Sequence, residues 1–183
     1  MLFNELKLKG AFIITPEPFI DERGFFLRSF CTKEFAQQGL VNTFLQINHS
    51  GTKTVGSIRG MHFQYPPYAE VKVVKCTKGA IADVIIDLRK NSPTFLQWEM
   101  VELNEVNKAS IYIPQGFAHG FQTLTDDAEI IYLVSQVYNK ESEGGIRFND
   151  PAVAINWKMP VATISEKDQS IPYLDSNFKG IDV

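Results

Sequence analysis

Only three histidines and two cysteines occur in this chain, and neither set is spaced as a metal or redox motif. Cys31 and Cys76 form no CxxC pair and are too few for a disulfide framework, so two reduced, buried thiols are expected. An HxH pair, common in barrel metal sites, is missing, and a catalytic zinc normally takes three protein ligands. The metal arrangement left open is His62, His119 and a carboxylate around iron. Clustered lysine and arginine are also lacking, and with a net charge of -3 and a pI near 5.6 the chain has no electrostatic footprint for nucleic acid. No window approaches the roughly 20 apolar residues that span a bilayer, and Met1 to Gly10 carry no stretch of signal-peptide length. A cytoplasmic protein without membrane contact is expected, so the glycosylation triplet Asn48-His49-Ser50 is set aside. GxSxG, GxGxxG and P-loop sequences are absent, which takes support from acyl-enzyme, dinucleotide and P-loop NTPase chemistry.

What the chain does have is aromatic and branched residues in short runs. Fourteen phenylalanines, six tyrosines and many Val and Ile residues are separated by Gly, Pro, Asn and Asp, the pattern of many short strands. Strands are predicted near 10–15, 24–30, 43–49, 57–64, 71–78, 80–88, 95–103, 109–113, 118–124 and 128–137. Thr32 is the expected cap of a helix over 33–38 that Gly39 stops, and a second short helix should begin at Ser165. Without helices of comparable length between the strands, the fold is expected to be all-β, an antiparallel sandwich or barrel. A length of 183 residues suits one domain, with the residues from about 138 wrapping the barrel as loops and short helices.

Strand alternation then places the ionisable groups. Lys72 shares a face with Val74 and Cys76, His62 with Ile58 and Gln64, Tyr132 with Ile130 and Val134, His119 with Phe121, and Gln46 with Phe44 and Asn48. If these faces converge, the lumen is apolar with a few polar groups, as small-molecule sites are. Each residue also has a bland reading. His62 could be a core histidine bonded to a carbonyl, and Lys72 an edge lysine or one whose stem lies on apolar surface. Tyr132 could be a structural tyrosine. Asp168 stands in Ser165-Glu166-Lys167-Asp168, which reads as a capping box. His119, between Gly116 and Gly120, fits a tight strand entry where backbone approaches a ligand, or a stacked structural role.

Taken in order, Asp21-Glu22-Arg23-Gly24-Phe25-Phe26, Arg59-Gly60-Met61-His62-Phe63-Gln64, Asp87-Leu88-Arg89, Ser92-Pro93-Thr94, Gly116-Phe117-Ala118-His119-Gly120-Phe121, Asn149-Asp150-Pro151 and Ser165-Glu166-Lys167-Asp168 resemble the dTDP-4-dehydrorhamnose 3,5-epimerase family. The likeness runs from about residue 5 to 170. It implies a cupin-type jelly roll, a homodimer, a nucleotide-sugar substrate, and neither metal nor cofactor. It assigns the base to His62, its orienting carboxylate to Asp168, the acid to Tyr132 with Tyr138 in reserve, and the ketone contact to Lys72. Ligand-binding positions fall on Arg23, Phe26, Gln46, Asn48, Arg59, His119, Glu143 and Lys167. Arg28 stands where many members carry glutamate, and Pro66-Pro67-Tyr68-Ala69-Glu70 departs from a commoner glutamine-rich stretch.

The implied substrate is a 4-keto-6-deoxyhexose whose C3 and C5 hydrogens are acidified by the ketone. Inverting them needs a base, an acid on the opposite ring face and a cation for the enolate oxygen, with no redox step. Arg23, Arg59 and Lys167 are expected on the diphosphate or nucleotide, and Phe26 and Tyr65 as stacking partners of the base. Strict alternation puts Arg59 and His62 on opposite faces, which a bulge at Gly60 or a site completed by a second subunit would reconcile. The rival readings are an epimerase acting at one centre only and a non-catalytic sugar-binding jelly roll.

Overall fold

Alternating apolar residues need a surface to bury against, and the chain supplies it by stacking two antiparallel sheets. A computed structural model describes residues 1–183. The strands are β1 (Leu2–Glu5), β2 (Phe12–Thr15), β3 (Phe19–Asp21), β4 (Gly24–Phe26), β5 (Gln46–Thr52), β6 (Ile58–Gln64) and β7 (Lys72–Lys78). They continue as β8 (Ala80–Asp87), β9 (Trp98–Asn104), β10 (Ser110–Ile113), β11 (Phe117–Thr123), β12 (Ala128–Val134) and β13 (Glu143–Gly145). One sheet has the order β1-β2-β10-β7-β12-β5, the facing sheet β13-β6-β11-β8-β9, and β3–β4 form a separate hairpin. The helices are short: α1 (Thr32–Gln37) and α2 (Glu166–Ser170). This is the all-β, cupin-type jelly roll with short peripheral helices that the residues and the resemblance implied.

Three strands were not foreseen: β1, β3 and β13 are only three or four residues long and carry too little alternation to read. The predicted start of a strand at 95 moves to Trp98, because Leu96 sits at φ 62° and Ser92 to Gln97 form turns instead. The cap of α1 also differs. Cys31 is the N-cap, without a side-chain bond, and Thr32 is already helical, whereas Gly39 takes the expected left-handed φ of 70°.

Between the sheets, Val74 and Cys76 of β7, Ile81 and Ile85 of β8, Ile111 and Ile113 of β10, Phe117 and Phe121 of β11 and Ile130 of β12 form the main core. Strand β8 is buried on its other face as well, where Val84 and Ile86 meet Val153, Ile181, Trp157, Leu174 and Phe178 from the C-terminal segment. Helix α1 covers the outside of the first sheet through Phe35, which contacts Phe30, Phe44 and Tyr112 edge-on or tilted. Phe44 therefore belongs to this outer cluster and does not share the inner face of Gln46. Both cysteines are free, and burial pushes the Cys76 thiol up to about 11. No helix is long and apolar enough to cross a membrane.

Candidate active site

The core does not fill the lumen to its end. One cavity of about 580 Å³ is bounded by Arg59, His62, Lys72, His119, Tyr132 and Asp168 among others. A smaller one of about 230 Å³ is bounded by Gln46, Asn48, Gln64, Glu70, Tyr138 and Glu143. His62, Lys72 and Tyr132 line both, so the two spaces meet at these three side chains.

A bulge in β6 brings Arg59 and His62 to the same side. On β11, His119 pairs with His62 and Phe121 with Arg59, so two steps on one strand face three on the other. The extra residue falls at Gly60-Met61. Gly60 lies at φ 130°, and a Cβ there would stand 2.5 Å from the Cα of Gly120 and 2.9 Å from the His119 carbonyl oxygen. A Cβ on Gly120 would in turn stand 2.7 Å from the Arg59 carbonyl oxygen. Only paired glycines permit this approach of two backbones. The close approaches at Gly120 and Gly116 are thus to β6 and to the Arg89 side chain, not to a ligand.

Asp168 reaches the site because Ser165 caps α2. The Ser165 hydroxyl accepts from the Asp168 N–H at 3.1 Å, one arm of the capping box read from the sequence. The Asp168 carboxylate leaves the helix: Oδ1 lies 2.7 Å from His62 Nε2, and Oδ2 accepts from the Gly60 N–H at 3.3 Å. Burial pushes this carboxyl up. The His62 hydrogen bond and charge, with the bonds from Gly60 and Ser165, outweigh burial and hold it below the ordinary aspartate range. An ionised Asp168 can only accept a hydrogen bond, which favours the ring orientation that turns Nε2 to the carboxylate and Nδ1 away from it.

The opposite wall comes from the other sheet. Tyr132 pairs with Val74 and Val134 with Lys72, so Tyr132 and Lys72 are neighbours on the inner face of β12 and β7. Lys72 Nζ donates to the His62 carbonyl oxygen at 3.2 Å and lies 3.1 Å from Glu70 Oε1. Burial, chiefly, raises the Tyr132 phenol above its ordinary value; the Glu70 charge adds to this and the Arg59 charge opposes it.

Of the other residues singled out, Arg59, His119 and Lys167 line the larger cavity and Gln46, Asn48 and Glu143 the smaller. Arg59 is braced by Thr52 Oγ1 at 2.9 Å and the Gly51 carbonyl oxygen at 3.1 Å, and Lys167 by Glu143 at 2.5 Å. His119 Nε2 lies 2.8 Å from Asp83 Oδ2. Arg23 and Phe26 line neither cavity; they project from the β3–β4 hairpin, with Phe26 74% exposed and Arg23 paired to Asp21. Tyr138 lines only the smaller cavity and donates to Glu143 at 3.1 Å. No group of three His, Cys, Asp or Glu side chains gathers as metal ligands, and each cavity histidine faces its own aspartate. Sequence reasoning missed Asp83, Gln64 and Glu70 as members of this constellation. A carboxylate inside Ala80-Ile81-Ala82-Asp83-Val84-Ile85-Ile86 was a legible signal for the first.

A jelly roll whose open lumen gathers a histidine–aspartate pair, an ammonium and a phenol is built as an isomerase that moves protons on a small molecule. A family model described as dTDP-4-dehydrorhamnose 3,5-epimerase matches residues 5–176. The chain belongs to the dTDP-4-dehydrorhamnose 3,5-epimerase family. It is 42% identical over 175 residues to that enzyme from Sinorhizobium fredii, covering 95% of this chain and 90% of the relative. The crystal structure of the Elizabethkingia anophelis enzyme superposes with a TM-score of 0.92 at 41% identity, covering 97% and 98% of the two chains. The Bacillus anthracis enzyme, solved with TDP and PPi bound, gives 0.92 at 39% identity over 94% and 99%. A 3'-monoepimerase from Streptomyces bikiniensis in complex with dTDP-quinovose gives 0.87 at 30% identity over 92% and 86%.

Proposed function

We propose that this chain inverts C3 and C5 of dTDP-4-dehydro-6-deoxy-D-glucose to give dTDP-4-dehydro-L-rhamnose. The observation that carries the reading is the disposition of three groups: His62 with Asp168 on one sheet, Tyr132 on the sheet that faces it, and Lys72 where both cavities meet. His62 Nδ1 removes the proton next to the ketone, the Lys72 ammonium stabilises the enolate oxygen, and Tyr132 returns a proton from the opposite ring face. Once His62 has released its proton to solvent and Tyr132 has regained one from it, the same cycle at the second carbon inverts both centres. Tyr132 is favoured over Tyr138 as the acid because it borders both cavities, whereas Tyr138 is 56% exposed and engaged with Glu143.

Arg59 and Lys167 supply cationic N–H donors for the diphosphate at the larger cavity, with His119 beside them. Gln46, Asn48 and Glu143 serve the rest of the ligand from the smaller one. Arg23 and Phe26 reach a nucleotide only if a second copy brings its hairpin to the site. The exposed cluster Phe19, Ile20, Phe25 and Phe26 supports a homodimer, since contiguous apolar surface of this kind seeks cover. The place of action is the cytoplasm, where a nucleotide-activated sugar is made. Inversion of both centres is favoured over one by the higher identity to 3,5-epimerases than to the monoepimerase.

The test is NMR of dTDP-4-keto-6-deoxyglucose incubated with the chain in deuterated water. Deuterium at both C3 and C5, with inverted product, is expected; exchange at one centre means a monoepimerase, and none means a binding protein. His62→Ala should lower turnover at least about 10²-fold with the fold intact. Undiminished turnover removes His62 from the mechanism.

A further inference from the structure

Glu70 stands between buried Ala69 and Val71, with a side chain only 7% exposed. A carboxylate is costly to bury unless it is paired, and both of its oxygens are engaged. Oε1 lies 3.1 Å from Lys72 Nζ, and Oε2 accepts from Gln64 Nε2 at 2.9 Å. Gln64 is itself held from behind. Its Nε2 is within 2.9 Å of the Tyr68 carbonyl oxygen, and its Oε1 accepts from the Asn139 N–H at 2.6 Å. The carboxylate is therefore clamped to the scaffold rather than free to follow the lysine.

An ammonium has three N–H donors and no acceptor. In Lys72 one meets Glu70 and one meets the His62 carbonyl oxygen, which leaves a single donor at the junction of the two cavities. We propose that Glu70 is the positioning residue for Lys72, clamping its ammonium so that the remaining N–H faces the ketone oxygen held between His62 and Tyr132. The inference rests on the epimerase reading. A lysine has a flexible four-carbon stem, and enolate stabilisation requires a donor already in place when charge develops. The Gln64–Glu70–Lys72 relay supplies that order without touching the substrate.

The same carboxylate acts on the acid. Its negative charge opposes a phenolate at Tyr132, in concert with burial and against Arg59. Tyr132 must carry its proton for turnover, and the charge of Glu70 favours its protonated form. Removing that charge therefore moves the alkaline limb of the rate profile to lower pH.

The test compares the unmutated chain with Glu70→Gln and Glu70→Asp by kcat, KM and pH profile on dTDP-4-keto-6-deoxyglucose, with a thermal melt of each. For Glu70→Gln the expected result is a kcat lower by about tenfold or more, a KM changed far less, and an alkaline limb displaced to lower pH. Glu70→Asp keeps the charge but withdraws it by one methylene, so kcat falls while the limb stays in place. A folded Glu70→Gln with the native kcat and the native limb overturns the assignment. If Glu70→Gln does not fold, Glu70→Asp decides: a native kcat in that variant overturns the assignment, and a reduced kcat with an unmoved limb supports it. Absence of exchange in the unmutated chain is a separate result, which overturns the epimerase reading itself.

Discussion

At the scale of single residues, the carboxylate against His62 and the phenol of Tyr132 are shifted in opposite senses. Asp168 stays ionised because His62, Gly60 and Ser165 satisfy it against the cost of burial, which keeps a hydrogen-bond acceptor against the ring proposed as the base. Tyr132 is pushed the other way, chiefly by burial, so the phenol keeps its proton, as the proposed acid must. The division of labour predicts the behaviour of Tyr132→Phe. Proton abstraction by His62 survives, so deuterium exchange into the substrate should outlast formation of inverted product. The product rate should fall by about 10²-fold or more, measured by NMR on the same sample. Equal loss of exchange and inversion would contradict the assigned role.

At the scale of elements, the bulge in β6 is what makes one site of two strand faces. Gly60 and Gly120 face each other across β6 and β11, and neither tolerates a Cβ without moving backbone. Gly60→Ala should cost about 2 kcal/mol or more, from the backbone strain of a side chain at φ 130° and the clash with Gly120. Urea denaturation measures the loss. The Gly60 N–H also bonds Asp168, so activity should drop further than stability explains. A Gly60→Ala variant with native stability and turnover would show that the bulge is dispensable. Helix α2 is tied to the same strand: it has only five residues, and its work is to hold one carboxylate against His62.

At the scale of the whole molecule, the jelly roll sets two sheets around a lumen packed with apolar side chains, with the two cavities at its opening. Arg23 and Phe26 lie off that opening on an apolar hairpin. Sedimentation should accordingly give twice the 20.7 kDa chain mass. Arg23→Ala should raise KM about tenfold with kcat little changed, the loss of one charge-assisted bond. A monomer with full activity would remove the second subunit, and with it both residues, from the site.

Much was legible before any coordinates. Short aromatic and β-branched runs specify an antiparallel fold, because only two packed sheets bury alternating faces, and parity alone put Lys72, Val74 and Cys76 on one side. The resemblance named His62, Asp168, Lys72 and Tyr132, and the Ser165 cap was readable as local chemistry. Other features belong to the tertiary structure alone. A one-residue bulge reverses parity between Arg59 and His62, and it exists only because β6 and β11 meet glycine to glycine. Gln64, Glu70 and Lys72 are close in the chain, but Gln64 is locked behind Glu70 only when Asn139, from a distant segment, closes on it. Side-chain period is a local property, whereas the partner of a buried charge is decided by which strands pack together.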